Sequence, residues 1–192
     1  MKRKLYEHPK SNTMRMSKSI IISLLLAGTA AKSQVAIGKQ TVTNASVSLE
    51  FDSTENRGFV LPYITDKSSV LAEGSTIYDT TDHKVKYLKD NGVWINLSED
   101  DGTAATIGAV DLSIQQSKTE QVAAKTTIGT NGATDTTNGI LVLTDVNKAM
   151  ILPKVASPHL NIVNPAAGMM VYDTTKKQLA IYNGTVWSFW KP

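Results

Sequence analysis

The side chains able to do chemistry are few, and their spacing decides what they can do. His83 sits in Thr81-Asp82-His83-Lys84 and His159 follows Pro158; neither has a second histidine near it in sequence. A zinc site or an acid–base pair needs converging partners, so both read as solvated loop histidines. Glu99-Asp100-Asp101 beside Gly102 lacks the alternating carboxylates of a calcium loop and reads as a charged turn. Asp79 and Asp173 lie in matching Tyr-Asp-Thr-Thr segments. Paired carboxylates cleave glycosides only at a defined separation, and recurrence inside one motif implies the same turn made twice. A nucleophile elbow, a P-loop, a dinucleotide fingerprint and a His-Glu-x-x-His helix are absent from the sequence. The reading is a non-enzyme with no cofactor and no metal site.

The aromatic residues are the stronger functional candidates, because exposed rings stack on sugars and anchor interfaces. Trp94 and Trp187 recur at matching positions and read as core filling. Trp190 has Leu97 as its counterpart, and Tyr63 has Lys154. Trp190, Tyr182 and Tyr63 are therefore the candidate contact residues.

The elements that must position these residues come in duplicate. Asn56-Arg57-Gly58-Phe59-Val60-Leu61-Pro62 returns as Asn147-Lys148-Ala149-Met150-Ile151-Leu152-Pro153. Gly74-Ser75-Thr76-Ile77-Tyr78-Asp79-Thr80-Thr81 returns as Gly168-Met169-Met170-Val171-Tyr172-Asp173-Thr174-Thr175. Asn91-Gly92 before Trp94 returns as Asn183-Gly184 before Trp187, and Ile37-Gly38 as Ile128-Gly129. Asn-Gly between apolar runs is a hairpin cue, since a type I′ turn needs positive φ at both central residues. Asp at the start of a turn bonds the backbone two residues on. Each copy thus reads as an apolar strand followed by a three-stranded antiparallel meander. Pro62 and Pro153 lack the N–H of a central strand and should end strands or lie on edges. Residues 65–73 and 156–167 are the least defined. Pro158 and Pro165 argue against a long helix in the second of these, though a single turn fits. Residues 110–114 alternate like a short strand and read as strand or irregular structure, with a weak helix over 111–124 as the alternative.

The first 33 residues read as an export signal. Lys2, Arg3, Lys4, Lys10, Arg15 and Lys18 form a basic start, and residues 20–28 form an apolar run. The run is shorter than the roughly 20 residues a transmembrane helix needs, and Ala31-Lys32-Ser33 fits a small-x-small cleavage site. Met14 and Met16 are alternative starts. The whole sequence carries 20 basic and 17 acidic residues, a net charge of +3. The first 33 residues hold seven of the basic and one of the acidic residues, leaving 13 basic and 16 acidic residues in the mature chain. With no basic cluster left to neutralise phosphates, nucleic acid is excluded as a partner. No membrane span is expected once the signal is removed. There is no cysteine, which removes thiol catalysis, thiolate metal sites and disulfides.

The expected organisation is a signal peptide at 1–33, a β module at 34–97, an acidic then Thr/Ala/Gln-rich linker at 98–125, and a second β module at 126–192. Each module is near the size at which a lone core is marginal, so self-association is expected.

In Gln34-Val35-Ala36-Ile37-Gly38, Arg57-Gly58-Phe59-Val60-Leu61-Pro62, Gly74-Ser75-Thr76-Ile77-Tyr78-Asp79-Thr80 and the stretch from Tyr87 to Trp94, the chain resembles a repeat module of exported Bacteroidetes proteins. That module is similar to the head and shaft segments of phage tail-fibre-like surface proteins. Tyr63 and Lys154 stand where the module usually has Arg. The resemblance implies a mainly β chain assembling as a trimeric fibre, with a structural or adhesive role at the cell surface or outside the cell. Its partners would be further copies of itself, a homotrimer, and a surface glycan or protein. The alternative is a carbohydrate-binding module using exposed aromatics.

Overall fold

The runs of β-branched and aromatic residues become short strands, and Pro, Gly, Asn and Asp cut them apart. The computed structural model describes residues 34–121 and 123–191, which pack as one unit. The expected export signal at 1–33 lies outside the described residues. The first half holds β1 (Val35–Ile37), β2 (Val47–Phe51), β3 (Phe59–Val60), β4 (Tyr63–Ile64), β5 (Thr76–Asp79), β6 (Lys84–Leu88) and β7 (Trp94–Asn96). A helical turn, α1 (Ser113–Gln116), follows. The second half holds β8 (Thr126–Ile128), β9 (Leu141–Leu143), β10 (Ala149–Ile151), β11 (Lys154–Val155), α2 (Pro158–Asn161), β12 (Met169–Asp173), β13 (Gln178–Tyr182) and β14 (Trp187–Trp190).

The pairing in the two halves follows one pattern. β1 pairs parallel with β2, and β8 pairs parallel with β9. β4-β5-β6-β7 form one sheet, matched by β11-β12-β13-β14 in another. In both, the first pair is parallel and the remaining three strands are the expected antiparallel meander. Pro62 and Pro153 each stand between two strands, and their carbonyls accept from Tyr78 N at 2.9 Å and Tyr172 N at 2.8 Å. The Asp turns form as the sequence suggests: Asp79 Oδ1 accepts from Thr81 N at 3.0 Å, and Asp173 Oδ1 from Thr175 N at 2.9 Å.

The two Asn-Gly turns differ from each other. Asn91 and Gly92 both take positive φ, 56° and 74°, within a tight Asp90–Gly92 turn. At the second, Gly184 alone is positive at 101°. Asn183 N donates to Val186 O at 3.1 Å, and the Asn183 side chain caps the loop by accepting from Thr185 N and Val186 N. The loop proper is therefore Gly184-Thr185, with glycine first, as in a type II′ turn.

The alternating stretch at 110–114 is not a strand. Asp111 Oδ1 accepts from Ser113 N at 2.9 Å and starts α1 instead, a local bond that competes with strand pairing. α2 is the single turn compatible with Pro158, which sits at its first position where a missing N–H costs nothing.

Two further pairings join the halves. β3 lies antiparallel along β12, with Val60 opposite Met169 and Phe59 opposite Met170. β10 lies parallel along β2, with Met150 opposite Leu49. The main core lies between the halves: Leu61, Tyr78 and Val85 from the first meet Ala167, Met170 and Ile181 from the second. Fully burying an aliphatic side chain of this kind stabilises by roughly 1.5–3 kcal/mol, so each half supplies apolar area the other lacks. A second cluster, Val155, Met169, Val171 and Ala180, fills the far side of the β11–β14 sheet.

Candidate functional site: aromatic strip and strand edges

Strand alternation fixes where the aromatic residues point. Tyr182 lies opposite Trp187, and Ala180 opposite Phe189, so Tyr182, Trp187 and Phe189 share one sheet face. The rings form a continuous strip: Tyr182 to Trp187 is 5.2 Å between centroids, Trp187 to Phe189 is 6.5 Å and stacked, and His159 meets Phe189 edge-on at 5.6 Å. Phe189 is 40% exposed. Trp190, three residues after Trp187, points to the opposite face. It is 41% exposed, and its Nε1 donates to the carbonyl of Leu97, its own counterpart in the first half. Glu99, Trp187, Ser188, Phe189 and Trp190 line an open depression along β14.

Tyr63 lies elsewhere. Its ring packs 5.4 Å from that of Tyr78, and its hydroxyl donates to Ala167 O at 2.9 Å, clamping the first half to the second. Burial, with a contribution from Asp111, raises its pKa, so the proton needed for that bond stays in place. The three sequence-derived candidates thus occupy three separate places. Phe189 and His159, which complete the strip, were not among them. The Trp187-x-Phe189 spacing was the available signal, since alternation places both on one face.

The carboxylates of the Asp turns and of Asp100 and Asp101 are engaged in turns and ion pairs. Asp79 is buried and lies 2.7 Å from Lys67 Nζ and 2.9 Å from Lys86 Nζ. Burial raises its pKa, but the bonds from Lys67, Thr81 and Lys86 outweigh this and hold it well below the usual carboxylate range. Lys86, itself buried, also bonds Asp82 at 2.5 Å. Its counterpart in the second sheet is Ala180. Asp173, equally buried, relies instead on backbone donors of Ser157, Thr175 and Lys176. Burial raises its pKa and these donors bring it down. Asp100 Oδ1 accepts from Gly102 N, and Asp101 Oδ1 from Thr103 N. Among the described residues no group of three or more His, Asp or Glu side chains converges to hold a metal ion. None of the described helices is long and apolar enough to cross a membrane.

The other surfaces of interest are strand edges. β14 and β7 each end a sheet. Among the described residues β9 pairs with β8 alone, and β10 with β2 alone. On β12 one edge is shared by β11 at Tyr172–Asp173 and β3 at Met169–Met170. On β5 the matching edge carries β4 at Tyr78–Asp79 only.

Residues 127–191, spanning β8 to β14, match the family described as a phage tail like trimerisation region. A search of curated proteins gave no match, and a search of solved structures gave none.

Proposed function

We propose that this chain is a non-enzymatic structural protein that works as a homotrimer in a fibre-like assembly. The observation that carries the reading is the trimerisation-region match over 127–191. Its support in the fold is that the matched half does not close its own core. Met170 and Ile181 are buried against Leu61, Tyr78 and Val85 of the first half, and among the described residues β9, β10 and β14 each keep an unpaired edge. Unpaired edges are templates for further strands, and a self-associating chain uses them.

Export belongs to the same proposal. The basic, then apolar, then small-residue order of 1–33 fits a cleaved signal, and an assembly released or displayed outside the cell fits a structural or adhesive role there. The Bacteroidetes repeat-module resemblance points the same way. Sedimentation of the purified protein tests the reading: a mass of three chains at micromolar concentration supports it, and a single-chain mass contradicts it.

A second reading is carbohydrate recognition, favoured by the Tyr182–Trp187–Phe189 strip, whose ring faces suit sugar stacking. A glycan array followed by tryptophan-fluorescence titration decides it. Quenching by a sugar, lost in Phe189→Ala but kept in Trp190→Ala, whose ring lies on the opposite face, would establish binding by the strip.

A further inference from the structure

Two strand exchanges join the halves of this chain, and each is made once although its parts are present twice. β3 lies on the Met169–Met170 end of β12, and β10 lies on β2. By the recurring motifs, Phe59-Val60 of β3 corresponds to Met150-Ile151 of β10, and Met169-Met170 of β12 corresponds to Ser75-Thr76 at the start of β5. By strand pairing, β2 corresponds to β9: Leu49 lies opposite Val35, and Leu141 opposite Thr126. The reciprocal exchanges, β10 on the Ser75–Thr76 end of β5 and β3 on β9, are not made among the described residues. Among the described residues no strand pairs with Ser75 or Thr76 on the edge that β4 takes at Tyr78.

Side-chain burial follows the same division. Under β10, Val47 and Leu49 of β2 are 3% and 1% exposed. Leu141 and Val142 of β9, with no such cover, are only part-buried. Size complementarity agrees as well. A methyl group at Gly58 would stand 2.3 Å from Met169 Cγ and 2.8 Å from Val171 Cγ1, so where β3 meets β12 any larger residue must displace these side chains. At the open pairing Ala149 replaces Gly58 and Ser75 replaces Met169. The smaller serine leaves room for the alanine methyl.

We infer that a second copy of this chain docks head to tail, with β10 of one copy extending the sheet of the next at Ser75–Thr76 of β5, and β3 of that next copy lying along β9 of the first. The inference rests on the proposed self-assembly and names the contact that would carry it. Transfer of the internal register places Met150 opposite Thr76 and Ile151 opposite Ser75 of the neighbouring copy. Main-chain hydrogen bonds supply the affinity, as in other strand additions. The contact is heterologous, so each copy presents both halves of it, and closure into a ring leaves neither half unpaired.

The absence of cysteine allows a direct test. Met150→Cys and Thr76→Cys are prepared as separate full-length variants with tags of different length, mixed, and mildly oxidised. Opposed residues in an antiparallel ladder have Cα atoms alternately about 5.5 and about 4.5 Å apart, both within the range a disulfide spans. The expected result is a disulfide-linked heterodimer in excess over both homodimers on a non-reducing gel. Ile151→Cys mixed with Ser75→Cys repeats the test at the adjacent rung if either first variant fails to fold. No heterodimer from either pair, with sedimentation still giving three chains, overturns this contact while leaving the trimer reading standing. No heterodimer together with a single-chain mass overturns both.

Discussion

The hydroxyl of Tyr78 donates to the backbone carbonyl of Asn183 across 2.8 Å, in a fully buried position, tying the first sheet to the last hairpin of the second. Burial, with smaller contributions from Tyr63, Asp82 and Asp100, pushes the Tyr78 pKa up, so the hydroxyl remains a donor at any ordinary pH. Its counterpart in the repeated motif, Tyr172, is 38% exposed. Tyr78→Phe leaves the carbonyl without that partner and should destabilise by about 1–3 kcal/mol. Tyr172→Phe should change stability by less than about 0.5 kcal/mol. Urea unfolding of the two variants checks the contrast.

Gly58 provides a second test between the halves. Gly58→Ala drives a methyl into Met169 and Val171, and overpacking of this kind costs about 1–3 kcal/mol. Met169→Ser in the same chain recreates the Ala149–Ser75 combination and should recover part of the loss. A double-mutant cycle by thermal unfolding measures the coupling, which should be non-additive in the rescuing direction.

The strands, the two meanders, the Leu-Pro breaks and the Asp turns were legible in the sequence because each is set by residues within a few positions. Which half covers which face was not. Tyr78 and Tyr172 sit in the same motif, yet only one is buried, because the partner face is chosen by contacts some hundred residues away. Lys86 alternates with Val85 and Tyr87 as an outward residue should, but that face is buried, and Lys86 is held there by Asp79 and Asp82. Val47, Ser48, Leu49 and Glu50 of β2 are all buried, since β1 and β10 flank the strand on its two edges and Lys39 and Thr43 close over Glu50. The one local clue to the exchange of strands was Gly58 standing where the second copy has Ala149.

Glu50 makes a pH prediction. Burial raises its pKa, but the Lys39 ammonium at 2.7 Å, Thr43 N at 2.6 Å and the Thr43 hydroxyl at 2.5 Å outweigh this and lower it to about 2 from 4.5. A carboxylate whose folded pKa is depressed stabilises the fold above its unfolded pKa and loses that contribution as pH falls through the folded one. Stability should therefore fall as pH drops from about 4.5 toward about 2. Glu50→Gln should be less stable at neutral pH and show a shallower acid limb, read from thermal midpoints across that window.

The export proposal predicts a cut after Ser33. Mass spectrometry of the protein recovered outside the cytoplasm should give Gln34 as its first residue. Recovery there with residues 1–33 intact would contradict signal cleavage.

Sedimentation equilibrium of the purified protein at micromolar concentration decides whether this chain assembles with itself. The expected result is a single species of three chains; a stable single-chain species at that concentration would contradict self-assembly.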